Sequence, residues 1–153
     1  MPQIPLFYRL VLLWYEPIGS GFGCYMNLAA KDMYLNSFIP TSLAVRDPTH
    51  NMIFNQLGAG YFFVATSQAI LLRYTNDMNV WKILNGCLLG WDFILLYSLW
   101  DGLSAQGRLD PGTWRSEDLS AIVPTIFMTV VRAAIVAGIG LGGSKPNAKK
   151  PKD

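Results

Sequence analysis

Four apolar segments in succession limit what this chain can fold into more than any other feature. Each is close to the length a helix needs to cross the hydrocarbon core of a bilayer, about 20 residues. Ile53 to Leu72 is such a span without a formal charge. Val80 to Trp100 carries Lys82 at one edge and Asp92 inside, and Leu119 to Leu141 contains Arg132. Leu6 to Ala30 is the least regular, with Arg9, Glu16, Pro17 and the run Gly19-Ser20-Gly21-Phe22-Gly23. A cleaved signal peptide has an uninterrupted apolar core; Leu28-Ala29-Ala30 is a passable cleavage site, but Glu16-Pro17 breaks the core. Only 14% of the residues are charged, against about 25% in soluble domains. The expected fold is all-α, a single four-transmembrane-helix bundle over residues 1–142, with a disordered basic cytosolic tail over 143–153.

Orientation follows from the placement of Lys and Arg, which favour the cytosolic side. Lys145, Lys149, Lys150 and Lys152 lie in the tail, and Arg73 and Lys82 flank the short second connection. The other connections offset Lys31, Arg46, Arg108 and Arg115 with Asp32, Asp47, Asp110, Glu117 and Asp118. Both termini are therefore expected in the cytosol, and the protein is expected to be a multi-pass one of the endoplasmic reticulum. The tail is similar to a dilysine retention signal, although Pro151 stands where lysine is needed. Tyr8, Tyr74, Trp81, Trp100 and Trp114 fall at segment ends, where interfacial aromatics belong. Glycines four apart, Gly19/Gly23, Gly86/Gly90 and Gly138/Gly142, are expected to let helices approach closely.

Several functions are disfavoured at once. A net charge of +2 with no aromatic–basic interleaving gives no reason to expect a nucleic-acid partner. Cys24, Cys87 and the lone His50 form no metal-ligand spacing, and no cofactor is expected. The two thiols read as small packing residues rather than a disulfide. Gly19-Ser20-Gly21 lacks the strand–turn–helix setting of a nucleophile elbow, and Cys24 stands where a dinucleotide fingerprint needs glycine. His50, beside Pro48 in a polar connection, reads as a solvated loop residue.

Glu16, Asp92 and Arg132 remain. A charge at the bilayer centre costs at least about 2.5–3.5 kcal/mol, so such groups pair, bind or react. At about 1.5 Å rise per residue, the three lie roughly 15, 18 and 14 Å from the cytosolic ends of their segments. They therefore share a depth near the midplane. Residues seven apart share a helical face. On that spacing Arg9, Glu16 and Gly23, with Ser20 and Asn27, form a polar stripe, while Asn85 lies two turns before Asp92 and Thr125 two turns before Arg132. The second segment has Asn55, Gln56, Tyr61, Thr66 and Gln68 to contribute. Glu16, Asp92 and Arg132 are the catalytic candidates, and Asn55, Tyr61 and Asn85 are the candidates for contacting substrate.

The bland alternative is an ion network that only fixes helix packing. Against it stands the count of two acids to one base. One acid is left without a counter-charge, and burial keeps it protonated. An ionised acid beside a protonated one is the arrangement used for general acid/base chemistry. Asp101, nine residues after Asp92, faces the other way at a rim and reads as a helix-end charge.

Ile4-Pro5-Leu6 with Tyr8-Arg9, Glu16-Pro17, Asn55-Gln56-Leu57-Gly58, and Val80-Trp81 leading to Gly90-Trp91-Asp92 give the chain a resemblance along nearly its whole length. It resembles a family of small four-helix fungal membrane proteins of secondary metabolism. These include the membrane epoxide hydrolases of polyene α-pyrone polyketide pathways of the citreoviridin and aurovertin type. The resemblance implies an enzyme that opens epoxides of a lipophilic polyketide, mycotoxin-like intermediate, with possible association with the monooxygenase that makes the epoxide. Two other readings stay open: a terpene cyclase or sterol-isomerase-like enzyme, for which Tyr15, Phe62, Phe63 and Phe93 supply aromatics, and a non-catalytic membrane partner that binds a lipophile. The sequence does not name the oligomeric state.

Overall fold

The structure is a computed structural model that describes residues 4–141. The tail expected over 143–153, its lysines and Gly142 lie outside the described residues. Among the described residues the chain is all-helical, without strands. Helix α1 runs over residues 6–29 as Leu6–Leu10, a π-helical turn Val11–Tyr15, and Glu16–Ala29. Short α2 is Lys31–Asn36. Helix α3 runs over residues 51–74 as Asn51–Thr66, a second π-helical turn Ser67–Leu71, and Leu72–Tyr74. Helices α4, Met78–Ala105, and α5, Ser116–Ala137, are uninterrupted, and both are long and apolar enough to cross a membrane.

The helix ends have local causes. Asp77 caps α4 by accepting from the Asn79 amide at 2.8 Å, and Asp118 at the third position of α5 accepts from the Arg115 amide at 2.7 Å. Gly107 and Gly138, at φ +65° and +81°, end α4 and α5 in the left-handed region that side chains avoid. After each, the chain folds back: Arg108 donates to the Leu103 carbonyl and Ile139 to that of Ala134.

The second half of α1 packs along α3, α4 packs along α5, and the two π-turns meet side by side. One end of the bundle is closed by an apolar cluster that includes Tyr8, Leu12, Leu72, Trp81 and Ile135. There the Tyr8 hydroxyl donates to the Ile139 carbonyl at 2.8 Å, tying the start of α1 to the end of α5. Burial of Tyr8 and Trp81 corrects their expected interfacial position; the Trp81 indole is turned inward and donates to the Thr75 carbonyl at 2.9 Å. The other end is closed by polar groups. Asp118 is held by both Arg108 and Arg115, and Arg115 also reaches the Asn36 carbonyl at 2.8 Å.

The glycine contacts differ from the expected set. A Cβ on Gly90 would meet nothing within 4 Å, and one on Gly86 would only touch Val136 at 3.9 Å. Close approach occurs instead between α1 and α3. A Cβ on Gly23 would lie 2.8 Å from the Tyr61 ring, and one on Gly58 would lie 3.1 Å from Leu28 and 3.3 Å from Asn27. Overpacking such a contact costs about 1–3 kcal/mol. Gly23→Leu is expected to lower the thermal midpoint in detergent by several degrees, whereas Gly90→Leu is expected to leave it within about a degree. Equal loss in the two variants would show that the α1–α3 contact is not the tight one.

Candidate functional site

Pro17 shapes the site from the sequence upward. Proline has no amide hydrogen, and inside a helix its ring crowds the carbonyl four residues back, here that of Leu13. The helix relieves this by widening over Val11–Tyr15, where the Glu16 amide reaches the Val11 carbonyl. The freed Leu13 carbonyl accepts from Arg73 of α3 at 2.7 Å, and that guanidinium also stacks over Trp14 at 4.5 Å. In α3 the Thr66 and Ser67 hydroxyls donate back to Phe62 and Val64 carbonyls, a pattern that bends helices. The second widened turn follows and carries Gln68. Such turns recur at functional sites, and here both abut the same polar cluster.

The cluster is buried on every side. Glu16 is 4% exposed, Asp92 3%, Arg132 2%, and Gln68 and Asn85 are fully enclosed. The Arg132 guanidinium of α5 forms ion pairs with Glu16 of α1 and Asp92 of α4, using a different terminal nitrogen for each. Glu16 has a second donor, the Gln68 amide at 2.9 Å; that amide also lies 3.5 Å from Asn85 Oδ1. Asp92 Oδ2 and Arg132 Nε are buried without a partner in the protein. The expectation that one acid would stand apart from Arg132 is thus modified. Both acids touch the base, but the charge count still leaves one negative charge in excess.

The three groups line a cavity of about 630 Å³ that Tyr15, Phe22, Tyr61 and Trp91 also face. Tyr61, expected to contact substrate, does line it, and its hydroxyl lies 3.4 Å from that of Tyr34. Asn85 supports the cluster through Gln68 and the Trp81 carbonyl, at 2.8 Å, and is not among the cavity walls. Asn55 is not brought to the seam: it is exposed, because the inward face of α3 is set by Phe54, Gly58, Tyr61 and Gln68. Arg9 is exposed too. The Val11–Tyr15 turn takes up an extra residue, so Tyr8 occupies the inward position that heptad spacing assigns to Arg9.

Gln68 was only one of five polar residues on its segment, and its role became visible once the π-turn had fixed its face. The Asp118 clamp was missed because its charges looked mutually cancelling. Asp101 is exposed, and His50 is exposed in the 3₁₀ turn Pro48–His50, as the sequence suggested. Cys24 and Cys87 are free thiols.

Removing one partner of a buried ion pair costs about 3–5 kcal/mol, because it strands the other charge. Arg132→Met is therefore expected to destabilise the protein in detergent more than Glu16→Gln or Asp92→Asn does. Combining all three substitutions should recover much of the loss. A triple variant no more stable than Arg132→Met alone would show that the charges do not depend on one another.

Neither a comparison with curated proteins nor one with solved structures returned a match. A family profile described as a domain of unknown function, DUF7704, matches residues 1–142, which take in every helix and all of the buried charged cluster. The chain belongs to the DUF7704 family.

Proposed function

We propose that this protein is a four-span membrane enzyme that opens an epoxide in a lipophilic substrate, with Asp92 as general acid and Glu16 as general base. The membrane part is supported by an inverted distribution of polarity. Glu16, Gln68, Asn85, Asp92 and Arg132 are buried, while Trp14, Ile18, Phe62, Phe63, Ile70, Ile83, Phe93 and Val130 are exposed along all four long helices. In their most apolar windows α4 and α5 are only 17% and 33% buried, unlike a soluble core helix. Exposed apolar area on that scale needs lipid or a partner to cover it.

The chemical part rests on one observation, the buried and partnerless Oδ2 of Asp92, a residue of the cavity wall, beside a fully engaged Glu16. Arg132 and Gln68 both stabilise Glu16 as the carboxylate. Asp92 holds the proton on Oδ2. Water attacks an epoxide carbon and passes a proton to Glu16, while Asp92 protonates the ring oxygen as the carbon–oxygen bond breaks. The product is a vicinal diol. Return of the proton from Glu16 to Asp92 through cavity water restores the starting state, and the net charge of the cluster is unchanged throughout. General acid/base assistance of this kind is worth about 10²–10⁴-fold. The epoxide must come from an oxygen-inserting enzyme, so association with a monooxygenase fits. The resemblance to the small fungal membrane hydrolases favours a polyketide as substrate.

A carbocation-steering cyclase is the second reading. Of the aromatics first considered for it, Phe62, Phe63 and Phe93 are exposed, but Tyr61 and Trp91 join Tyr15 at the cavity. Product analysis separates the two, since hydrolysis incorporates water oxygen and cyclisation does not.

Glu16→Gln and Asp92→Asn should each remove most turnover in membranes supplied with an epoxide, with insertion retained. The double variant should lose little beyond either single one, because groups that act as a unit are non-additive. Near-normal rates in both single variants would reduce the cluster to a packing device. For topology, tags at both termini and in the 75–77 connection should report from the cytosol, and tags at 37–50 and 106–115 from the lumen. A lumenal amino terminus would overturn the four-span arrangement.

A further inference from the structure

Beyond the cavity that holds the charged cluster lies a second one of about 430 Å³. The two share Tyr34, Ser37, Phe38, Tyr61, Leu95 and Thr125 as walls, so they adjoin as neighbouring compartments. The second continues toward Leu99 and Leu103 on α4, Ile122 on α5, and Phe54 on α3. At about 1.5 Å per residue, the axial distance from Asp92 to Leu103, or from Arg132 to Ile122, is roughly 15 Å.

The compartments differ in chemistry. Around the charged cluster, buried polar atoms lack partners. In the second compartment the polar wall groups other than the Ser98 hydroxyl are engaged by the protein. Ser37 and Thr125 donate to the Met33 and Ala121 carbonyls, Gln106 donates to the Phe38 carbonyl, and Asp118 is held by Arg108 and Arg115. What is left to a ligand there, apart from the Ser98 hydroxyl, is hydrocarbon and aromatic surface. Tyr34 and Tyr61 stand between the compartments as walls of both. Their rings meet edge to face at 6.2 Å, and Phe38 and Phe54 pack around Tyr34.

We infer that the second compartment is a tail subsite, which takes the slender apolar body of an elongated substrate whose reactive end lies at Glu16, Asp92 and Arg132. Leu99, Leu103 and Ile122 form its far walls and set the longest tail accepted. The identity of the reactive end rests on the epoxide-opening reading; the tail subsite does not.

Terminal epoxides of alkanes of graded length test the inference on the intact protein in lipid nanodiscs. The ratio of kcat/KM for long over short substrates should rise with chain length and then break once the compartment is full. Leu99→Trp should move the break to shorter chains and lower the long-to-short ratio about tenfold, the scale of about two methylene groups excluded from an apolar site. If the thermal midpoint shows that Leu99→Trp has not folded, Ile122→Phe serves the same purpose. A ratio independent of length, or one unchanged in a folded variant, overturns the tail subsite. Should the wild-type protein turn over no epoxide, the proposed reaction fails while the subsite is still read by binding. Linear alkanols of graded length would compete against a fluorescent conjugated-tetraene alcohol. Length-dependent competition weakened by Leu99→Trp supports the subsite, and length-independent competition overturns it.

Discussion

Arg132 holds one guanidinium between two carboxylates that reach it from different helices, in an interior with almost no access to water. Taking such groups out of water is costly, and their attraction offsets the cost only if geometry is good and the remaining polar atoms find partners. The arrangement therefore ties α1, α4 and α5 to one another at a single level. Through Gln68 it also recruits α3. Each long helix thus contributes to a polar centre whose contacts form only when all four are assembled. Apolar packing in the Leu12–Trp81–Ile135 cluster and the Asp118 clamp close the bundle at its two ends.

The centre depends on backbone irregularity as much as on charge. With regular α-geometry from Leu6 to Ala29, heptad spacing would turn Arg9 inward together with Glu16 and Gly23. Pro17 removes that regularity, and the widened turn before it presents Tyr8 and Leu12 to the interior instead. Arg73 then accepts responsibility for the displaced Leu13 carbonyl, which fixes the lower part of α3 against α1. Glu16-Pro17 is consequently one device: the proline sets the turn that places the acid. The thinness of the contact between α1 and α3 has the same logic, since Gly23 and Gly58 let the Tyr61 ring and Leu28 fill the space that larger side chains would take.

The four long helices were legible because four long apolar runs admit few alternatives, but the short α2 and the extension of α4 to Ala105, both in polar sequence, were not. That Arg132 would meet acids from two other helices at one level was legible because the three charges share a depth, whereas its pairing with both acids rather than one was not. What remained hidden has a physical pattern. Heptad arithmetic fails across a π-turn, so Arg9 was misplaced and Gln68 could not be singled out. Asn55 looked equivalent to Tyr61 because the face of α3 is set by Gly58 meeting α1, a tertiary contact. The spacing of Gly86 and Gly90 resembles that of a close helix contact, yet Gly90 faces open space, since spacing alone does not say which side a partner occupies. Trp81 at a segment end could equally be interfacial or core, and its indole hydrogen bond to Thr75 decides for the core.

The excess negative charge links structure to chemistry. Two carboxylates against one guanidinium, both enclosed, give a cluster that is neutral only with one extra proton. Its two possible sites are unequal. A proton on Glu16 would displace a favourable contact from Arg132 or Gln68, whereas one on Asp92 Oδ2 displaces nothing, because that atom has no partner. The asymmetry is therefore built into the packing before any substrate arrives, and it comes from Gln68, a residue that carries no charge. In the proposed reaction, the same imbalance that makes the cluster costly to bury would supply the acid, with Asp92 in the cavity wall. A second arginine in place of Gln68 would neutralise the cluster and remove that acid. In the proposed reaction the amide is then as necessary as either carboxylate.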